Sequence, residues 1–229
     1  MDIFASLAIR RPERIAIGAF HDFVRSARQA SRTNERPDLD ALEAGLNGAA
    51  DGAEPARALA AIGAARGLPL DHARHVLQAA RLDLERPGCR SWSDLLLRCR
   101  YGAAPIGRFA LDLHGEDRAL GPAADALCTA LHIAEALSRD TAIVPTDWLR
   151  RADGSPRAAI DRTLDGIGRL VAAAAPLAAS AATRGIRVDA IAATARIRAL
   201  TGRLARRDPP AHLPMGRMTL LWLAAWLRA

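Results

Sequence analysis

Residues 91–116 read SWSDLLLRCRYGAAPIGRFALDLHGE, and their apolar residues recur at spacings of three and four. This periodicity predicts a long helix with one buried face. Ser91 suits its N-cap, and Pro105, which removes a helical hydrogen bond, predicts a kink near residues 101–104. The small residues at the kink favour either close helix packing or a cavity wall. The apolar positions are Leu95, Leu96, Cys99, Ala103, Ile106, Phe109, Ala110 and Leu113.

The rest of the chain is also predicted to be helical. Helical patterns cover residues 4–9, 15–27, 38–46, 57–66, 70–84, 123–139, 158–182, 188–207 and 215–228. Pro12 suits the start of the second of these helices, and Pro176 is expected to kink or split the helix at residues 158–182. Trp222 and Trp226 share one face of the last helix. No window alternates like a strand, so we expect an all-α protein with a single domain over residues 1–229.

Composition narrows the classes of function. The 32 basic residues are all arginine, and the formal net charge is +7. This charge favours anionic partners, but no basic run alternates with aromatic residues, which argues against nucleic-acid binding. The three cysteines lack the spacing of metal ligands. There is no cleavable signal pattern and no apolar run of about 18 residues. We therefore expect a cytoplasmic protein, with at most peripheral association with the inner membrane.

The segment at residues 91–116 resembles a known family. In the hopanoid-pathway branch of the squalene/phytoene synthase family, whose members join two farnesyl diphosphates head to head, the segment is similar to SWxDLLxYCRxSAxPVGRxxLxLxGE. The matching residues are Trp92, Asp94, Leu95, Cys99, Arg100, Ala103, Pro105, Gly107, Arg108, Gly115 and Glu116. Arg98 replaces the family's tyrosine. The resemblance covers nearly the full chain and implies an isoprenoid-synthase-type helical bundle around a central cavity.

Enzymes of this family need two acidic clusters that hold magnesium ions, because the ions bind the diphosphate and draw it away as a leaving group. The first cluster is similar to FYxFARxADDIAD and aligns with residues 20–32, FHDFVRSARQASR. The positions expected to be aspartate are Arg28, Gln29 and Arg32. Guanidinium groups reverse the local charge here, so the segment offers no ligands to a hard divalent cation.

The second cluster is similar to CTALQLxNxxQDxxxDxxxxRxYLPxDWL and aligns with the sequence from residue 128 onward. The family's glutamine becomes His132, its asparagine becomes Glu135, and its first aspartate falls on Arg139. A shift of one residue would let Asp140 stand in for that aspartate, but the turn with the second aspartate is missing. Glu135 and Arg139 lie four residues apart and are predicted to form an ion pair.

These departures predict that no metal site remains and that metal-dependent synthase activity is lost. We expect the scaffold to bind a prenyl diphosphate or prenyl lipid, or to act as a partner subunit of an isoprenoid-pathway enzyme. Two alternatives stay open. One is an active head-to-head prenyltransferase, supported by Asp140. The other is an assembly factor, by analogy with the phytoene-synthase-like protein of respiratory complex I assembly.

The candidate substrate-binding residues come from the aligned segments. Arginines among them are expected to meet diphosphate oxygens directly, through bidentate charge-assisted hydrogen bonds. These arginines are Arg25, Arg28, Arg32 and Arg98. The full substrate-binding set is Phe20, His21, Arg25, Arg28, Arg98, Cys99, Ala103 and Gly107.

Other polar residues point to structural roles. His72 and His75 share a helix face and are predicted to be a surface pair. Ser91 and Asp94 indicate helix capping rather than a catalytic triad. Asp83 matches an aspartate of the family's FRxD-like segment, as either a cavity residue or a solvated helix charge.

Overall fold

The structure, a computed structural model, describes residues 3–151 and 155–206. Within these ranges the chain forms helices and no β-strand, which confirms the all-α fold. The α-helices are α1 (Arg11–Thr33), α2 (Arg36–Leu46), α3 (Glu54–Arg66), α4 (Asp71–Glu85), α5 (Trp92–Gly102), α6 (Ala104–His114), α7 (Gly121–Arg139), α8 (Thr146–Arg151), α9 (Pro156–Ala173), α10 (Ala175–Ser180) and α11 (Arg184–Ala205). Two short 3₁₀-helices, Arg118–Leu120 and Thr141–Ile143, precede α7 and α8. The predicted C-terminal helix with Trp222 and Trp226 lies outside the described residues.

Prolines set the beginnings of many helices. A proline lies in the first turn of α1, α2, α3, α6, α7, α9 and α10. At this position the missing N–H removes no helical hydrogen bond, because the first donors of a helix have no acceptor within it. Pro176 accordingly separates α10 from α9, as the sequence predicted. None of the helices in the described part of the chain combines the length and apolarity needed to cross a membrane.

The helix predicted at residues 4–9 is wrong, because this segment forms turns. Phe4 is fully buried and adopts left-handed backbone with φ 61°, a conformation that a right-handed helix excludes. Two buried hydrogen bonds fix the segment to the bundle. The Nε2 of His21 donates to the carbonyl of Ile3 at 2.8 Å, and the N–H of Ser6 donates to Asp189 at 3.4 Å. Tertiary contacts therefore override the local periodicity.

The predicted kink at residues 101–104 is a complete break between α5 and α6. Ser91 caps α5 as expected, since its Oγ accepts the N–H of Asp94 at 3.1 Å. At the break Ala103 has φ −120° and ψ −46°, and the N–H of Ile106 donates to Ala103 O at 3.2 Å rather than to Gly102 O. The carbonyl of Gly102 is therefore left without its helical donor.

Helix α7 is largely enclosed by its neighbours. It packs against α5, α6, α9, α10 and α11, and most of its residues are buried. Helix α1 packs against α2, α3, α4 and α6. Its contact with α6 includes a stack of Phe20 on Phe109, whose ring centroids are 4.4 Å apart. Because both α1 and α7 pack on α6, the break at the start of α6 lies between them.

An aromatic cluster joins α5, α8 and α9. Trp92 and Trp148 stack with ring centroids 5.4 Å apart, and the guanidinium of Arg162 lies 5.3 Å from the Trp148 ring. Gly166 of α9 packs directly on Trp92, because a Cβ added at this glycine would lie 2.5 Å from the indole ring. The glycine is therefore required by the close approach of the ring and not by backbone conformation.

This packing predicts opposite effects for two alanine substitutions on α9. Gly166→Ala should lower the free energy of unfolding by about 1–3 kcal/mol, because the methyl group overlaps the stacked indole. Gly168→Ala is the matched control, since a Cβ there has no neighbour within 4 Å. It should raise the free energy of unfolding by up to about 1 kcal/mol through helix propensity. Urea denaturation followed by circular dichroism measures both, and equal effects would contradict the packing described.

Candidate functional site

A cavity of about 870 Å³ lies between α1, α2 and α7. Its volume falls within the range of small-molecule sites, roughly 300–1,000 Å³. The start of α3, the α5–α6 break and Ile3 of the N-terminal segment complete its wall. Part of the lining is apolar, namely Ala30, Ala41, Leu42, Ala103, Ile106 and Leu131. The cavity can therefore hold a hydrocarbon group beside the polar residues described next.

Helix α1 contributes a row of polar side chains to the cavity. Arg25, Arg28, Gln29 and Arg32 recur at spacings of three and four residues, so they share one face of the helix. Arg28 donates a hydrogen bond of 2.8 Å to Gly102 O, the carbonyl released by the α5–α6 break. Burial, together with the charge of Arg32, lowers the pKa of Arg28. An anion in the cavity would relieve both effects by compensating the buried cation.

Helix α7 faces this row with His132, Glu135 and Arg139. Burial lowers the pKa of His132 to about 3, with further contributions from Arg28, Arg139 and Arg32. The imidazole is therefore neutral near pH 7. The predicted Glu135–Arg139 ion pair is not formed, because the carboxylate of Glu135 pairs with Arg196 of α11 at 2.7 Å. A partner from another helix is closer to this carboxylate than the arginine one turn away.

The charges that line the cavity are mainly positive. Four arginines, Arg25, Arg28, Arg32 and Arg139, face the carboxylates of Asp38 and Glu135. Glu135 is paired with Arg196, and its charge also opposes the lowering of the pKa of Arg28, so it offsets part of the positive charge. Arg25 is paired with Asp22 on its own helix. A concave site lined by one sign of charge concentrates the opposite sign. The arrangement is suited to an anionic group attached to an apolar chain.

Several candidate substrate-binding residues lie outside the cavity lining. Phe20 is buried against Phe109, and Cys99 is buried in α5. Gly107 packs against α7, where an added Cβ would lie 3.0 Å from Cys128 Sγ. These residues pack the helices against one another, so they help to position the cavity walls without lining the cavity. His21 and Ala103, in contrast, do line it.

Arg98 and Asp83 bind each other rather than facing the cavity. Arg98 donates at 2.6 Å to Asp83 and at 2.6 Å to the carbonyl of Arg86, which ties α5 to the end of α4. The remaining candidate, Asp140, accepts the N–H of Ala142 at 3.0 Å and caps a 3₁₀-helix. It is not among the cavity residues, so the one-residue shift that would have made it a metal ligand gains no support.

The two histidines of α4, predicted to be a surface pair, contact different helices. The Nε2 of His72 lies 2.7 Å from Asp112 of α6, and His75 contacts the ring of Tyr101 with centroids 5.4 Å apart. Each histidine therefore joins α4 to a different neighbouring helix.

The sequence did not predict that α2 contributes to the cavity, in particular through Asp38. Helix α2 carries no motif that would have indicated this role.

A comparison with known protein families shows which family this chain belongs to. The sequence profile of the family described as "Squalene/phytoene synthase" matches residues 3–222. The chain belongs to the squalene/phytoene synthase family. It is similar to the hydroxysqualene synthase of Sinorhizobium fredii, with 39% identity over 135 residues, which are 56% of this chain and 46% of that protein. The chain thus matches about half the length of the curated relatives.

Two solved structures share the fold of this squalene/phytoene synthase homologue. The squalene synthase HpnC from Alicyclobacillus acidocaldarius superposes with a TM-score of 0.73 at 24% identity, covering 90% of this chain and 89% of that one. A dehydrosqualene synthase in complex with ligand superposes with a TM-score of 0.80 at 15% identity, covering 96% of this chain and 88% of that one. The isoprenoid-synthase-type bundle predicted from the sequence is therefore confirmed.

The residues of this cavity do not fit the magnesium ions that the family implies. Mg²⁺ requires oxygen ligands, chiefly carboxylates, in octahedral geometry. The aligned positions present guanidinium groups at Arg28, Arg32 and Arg139, and the carboxylate of Glu135 is held by Arg196. Within the described residues no three acidic, histidine or cysteine side chains are grouped so that they could hold a metal ion. The aligned positions therefore provide no ligand set for magnesium.

The environment of His132 gives a direct spectroscopic prediction. Because burial and the neighbouring arginines lower the pKa of this imidazole to about 3, its ¹H and ¹³C chemical shifts should stay constant between about pH 5 and 8. The signal is assigned as the one that disappears in His132→Gln. An inflection close to the ordinary histidine pKa of about 6.5 would show that the arginines do not surround this side chain.

Proposed function

We propose that this squalene/phytoene synthase homologue is a non-catalytic protein that binds a prenyl diphosphate or prenyl lipid in its helical cavity. One observation carries the proposal. Where the family has carboxylates, Arg28, Arg32 and Arg139 line the cavity from α1 and α7. The family scaffold and its cavity are kept, while the groups that would bind metal are replaced by cations.

The residues that line the cavity favour a ligand with one apolar end and one anionic end. Its volume of about 870 Å³ and its apolar residues, such as Leu42, Ile106 and Leu131, suit a hydrocarbon chain. The arginines suit a phosphate group, because a guanidinium donates two parallel hydrogen bonds to phosphate oxygens. A prenyl diphosphate combines these two features in one molecule.

The second candidate is an active synthase. It is favoured by the names of the relatives, since the proteins that match at 35–39% identity are hydroxysqualene synthases. The arrangement of the cavity opposes it, because Asp140 caps a 3₁₀-helix and Glu135 is paired with Arg196. Product analysis separates the two candidates.

Farnesyl diphosphate should bind to the protein but yield no thirty-carbon product. The protein is incubated with farnesyl diphosphate and Mg²⁺, with a chelated sample beside it, and the extract is analysed by mass spectrometry. No product is expected in either sample, because the leaving group has no metal to draw it away. A thirty-carbon product that chelation abolishes would overturn the proposal in favour of the synthase.

Binding itself is measured by calorimetry with farnesyl diphosphate. Ala41→Phe should weaken it by at least about tenfold, since Ala41 lines the cavity and the larger ring occupies the space of the ligand. Ala64→Phe is the matched control, because Ala64 is exposed on α3 and is not a cavity residue. Absence of binding to the unmodified protein, or equal effects of the two variants, would count against the proposed site.

A further inference from the structure

We propose that the cavity takes the diphosphate head group free of magnesium, so that Mg²⁺ weakens the binding of ligand instead of promoting it. This inference rests on the proposed function and specifies the chemical form of its ligand. It predicts a dependence on metal opposite to the one that the family's chemistry requires. The reasons lie in the positions and partners of the charged residues of the cavity.

Arg28 is held in place to receive an anion. Its hydrogen bond to Gly102 O uses one of the five N–H donors of the guanidinium and fixes the direction of the side chain. The remaining donors are available to the cavity, which Arg28 lines. A donor oriented in advance loses less conformational entropy when the ligand binds.

Arg32 and Arg139 bring further positive charge from opposite walls. In the described part of the chain, neither has a carboxylate within ion-pair distance, and both side chains line the cavity. Because Arg32 belongs to α1 and Arg139 to α7, a diphosphate placed between them would connect the two helices. Its oxygens would then meet guanidiniums directly, at the positions where the family has carboxylates.

Arginines outnumber the groups that would oppose an anion, since the cavity lining holds four arginines against the carboxylates of Asp38 and Glu135. His132 is uncharged near pH 7, so it can hydrogen-bond to a phosphate oxygen without adding charge. Glu135 is compensated by Arg196 at 2.7 Å. The site is therefore electrostatically complementary to a polyanion before any metal is added.

Magnesium changes the charge of the ligand in the unfavourable direction. A prenyl diphosphate carries about three negative charges near neutral pH, as expected for phosphate groups. Its complex with Mg²⁺ carries about one, because the divalent ion cancels two of them. The complex is attracted less strongly by the arginines, and the bound cation would be repelled by Arg28, Arg32 and Arg139.

The alternative place for a metal is the acidic end of α2. Asp38 lines the cavity, and a hydrogen bond with Asp38 raises the pKa of the neighbouring Glu35. A cation between these carboxylates and a diphosphate would give the opposite dependence on Mg²⁺. Asp38→Asn distinguishes this arrangement, because it removes the carboxylate that belongs to the cavity.

The experiment is calorimetry of the full chain with inorganic pyrophosphate and, separately, farnesyl diphosphate, in chelator and in millimolar Mg²⁺. We expect both to bind in chelator and Mg²⁺ to raise each dissociation constant by at least about tenfold. Arg32→Gln combined with Arg139→Gln should weaken binding in chelator by a similar factor and reduce the effect of Mg²⁺, with Arg28 still in place. Arg169→Gln, at an exposed position of α9 outside the cavity, should change neither.

Three results would overturn the inference. Tighter binding with Mg²⁺, lost in Asp38→Asn, would place a metal at α2. Equal binding of farnesyl diphosphate in both buffers, unaffected by the double variant, would show that the apolar chain alone is recognised and would leave the proposed function standing. Absence of any farnesyl diphosphate binding would remove the proposed function itself. The metal dependence of the unmodified protein decides the matter even if the double variant fails to fold.

Discussion

The hydrogen bond from Arg28 to the carbonyl of Gly102 connects the fold to the site. Pro105 cannot donate to the preceding turn, so the helix ends and a new one begins. The N–H of Ile106 turns to Ala103 O, and the carbonyl of Gly102 becomes available to a guanidinium 2.8 Å away on α1. A break in one helix thus orients a cation of another. Without the break, that carbonyl would be satisfied within the helix and Arg28 would lose its anchor.

The positive charge of the cavity comes from arginines of α1 and α7. A buried guanidinium cannot lose its proton, so its desolvation must be compensated by partners. Gly102 O provides part of this compensation for Arg28. Arg32 and Arg139 line the cavity at exposed positions, so water can solvate their charges. Under the proposed function, a phosphate group would supply the remaining compensation for the buried charge of Arg28.

Much of the fold could be predicted because its signals are local. The Ser91 cap, the break before Pro105 and the separation of α10 from α9 each depend on residues adjacent in the sequence. The resemblance to the squalene/phytoene synthase family added the expectation that residues 20–32 and 128–140 face one cavity. The structure places Arg25, Arg28, Gln29, Arg32, His132, Glu135 and Arg139 around it.

The remaining features depend on contacts between distant residues, which periodicity does not reveal. Phe4 is fully buried and has left-handed backbone, and the partner of Glu135 comes from α11 rather than from the next turn. Arg98 was expected to bind the diphosphate, but its guanidinium donates instead to Asp83 and to the carbonyl of Arg86. Asp38 reaches the cavity only because α2 packs beside α1.

The most direct test of a magnesium-free anion site is a crystal structure with pyrophosphate and Mn²⁺, recorded with anomalous scattering. Mn²⁺ replaces Mg²⁺ at oxygen-ligand sites and can be located by its own signal. We predict pyrophosphate within hydrogen-bonding distance of Arg28, Arg32 and Arg139, with no anomalous peak beside it. A manganese peak that bridges the pyrophosphate to Asp38 or Glu135 would contradict this account, because the cavity would then retain the metal chemistry of its family.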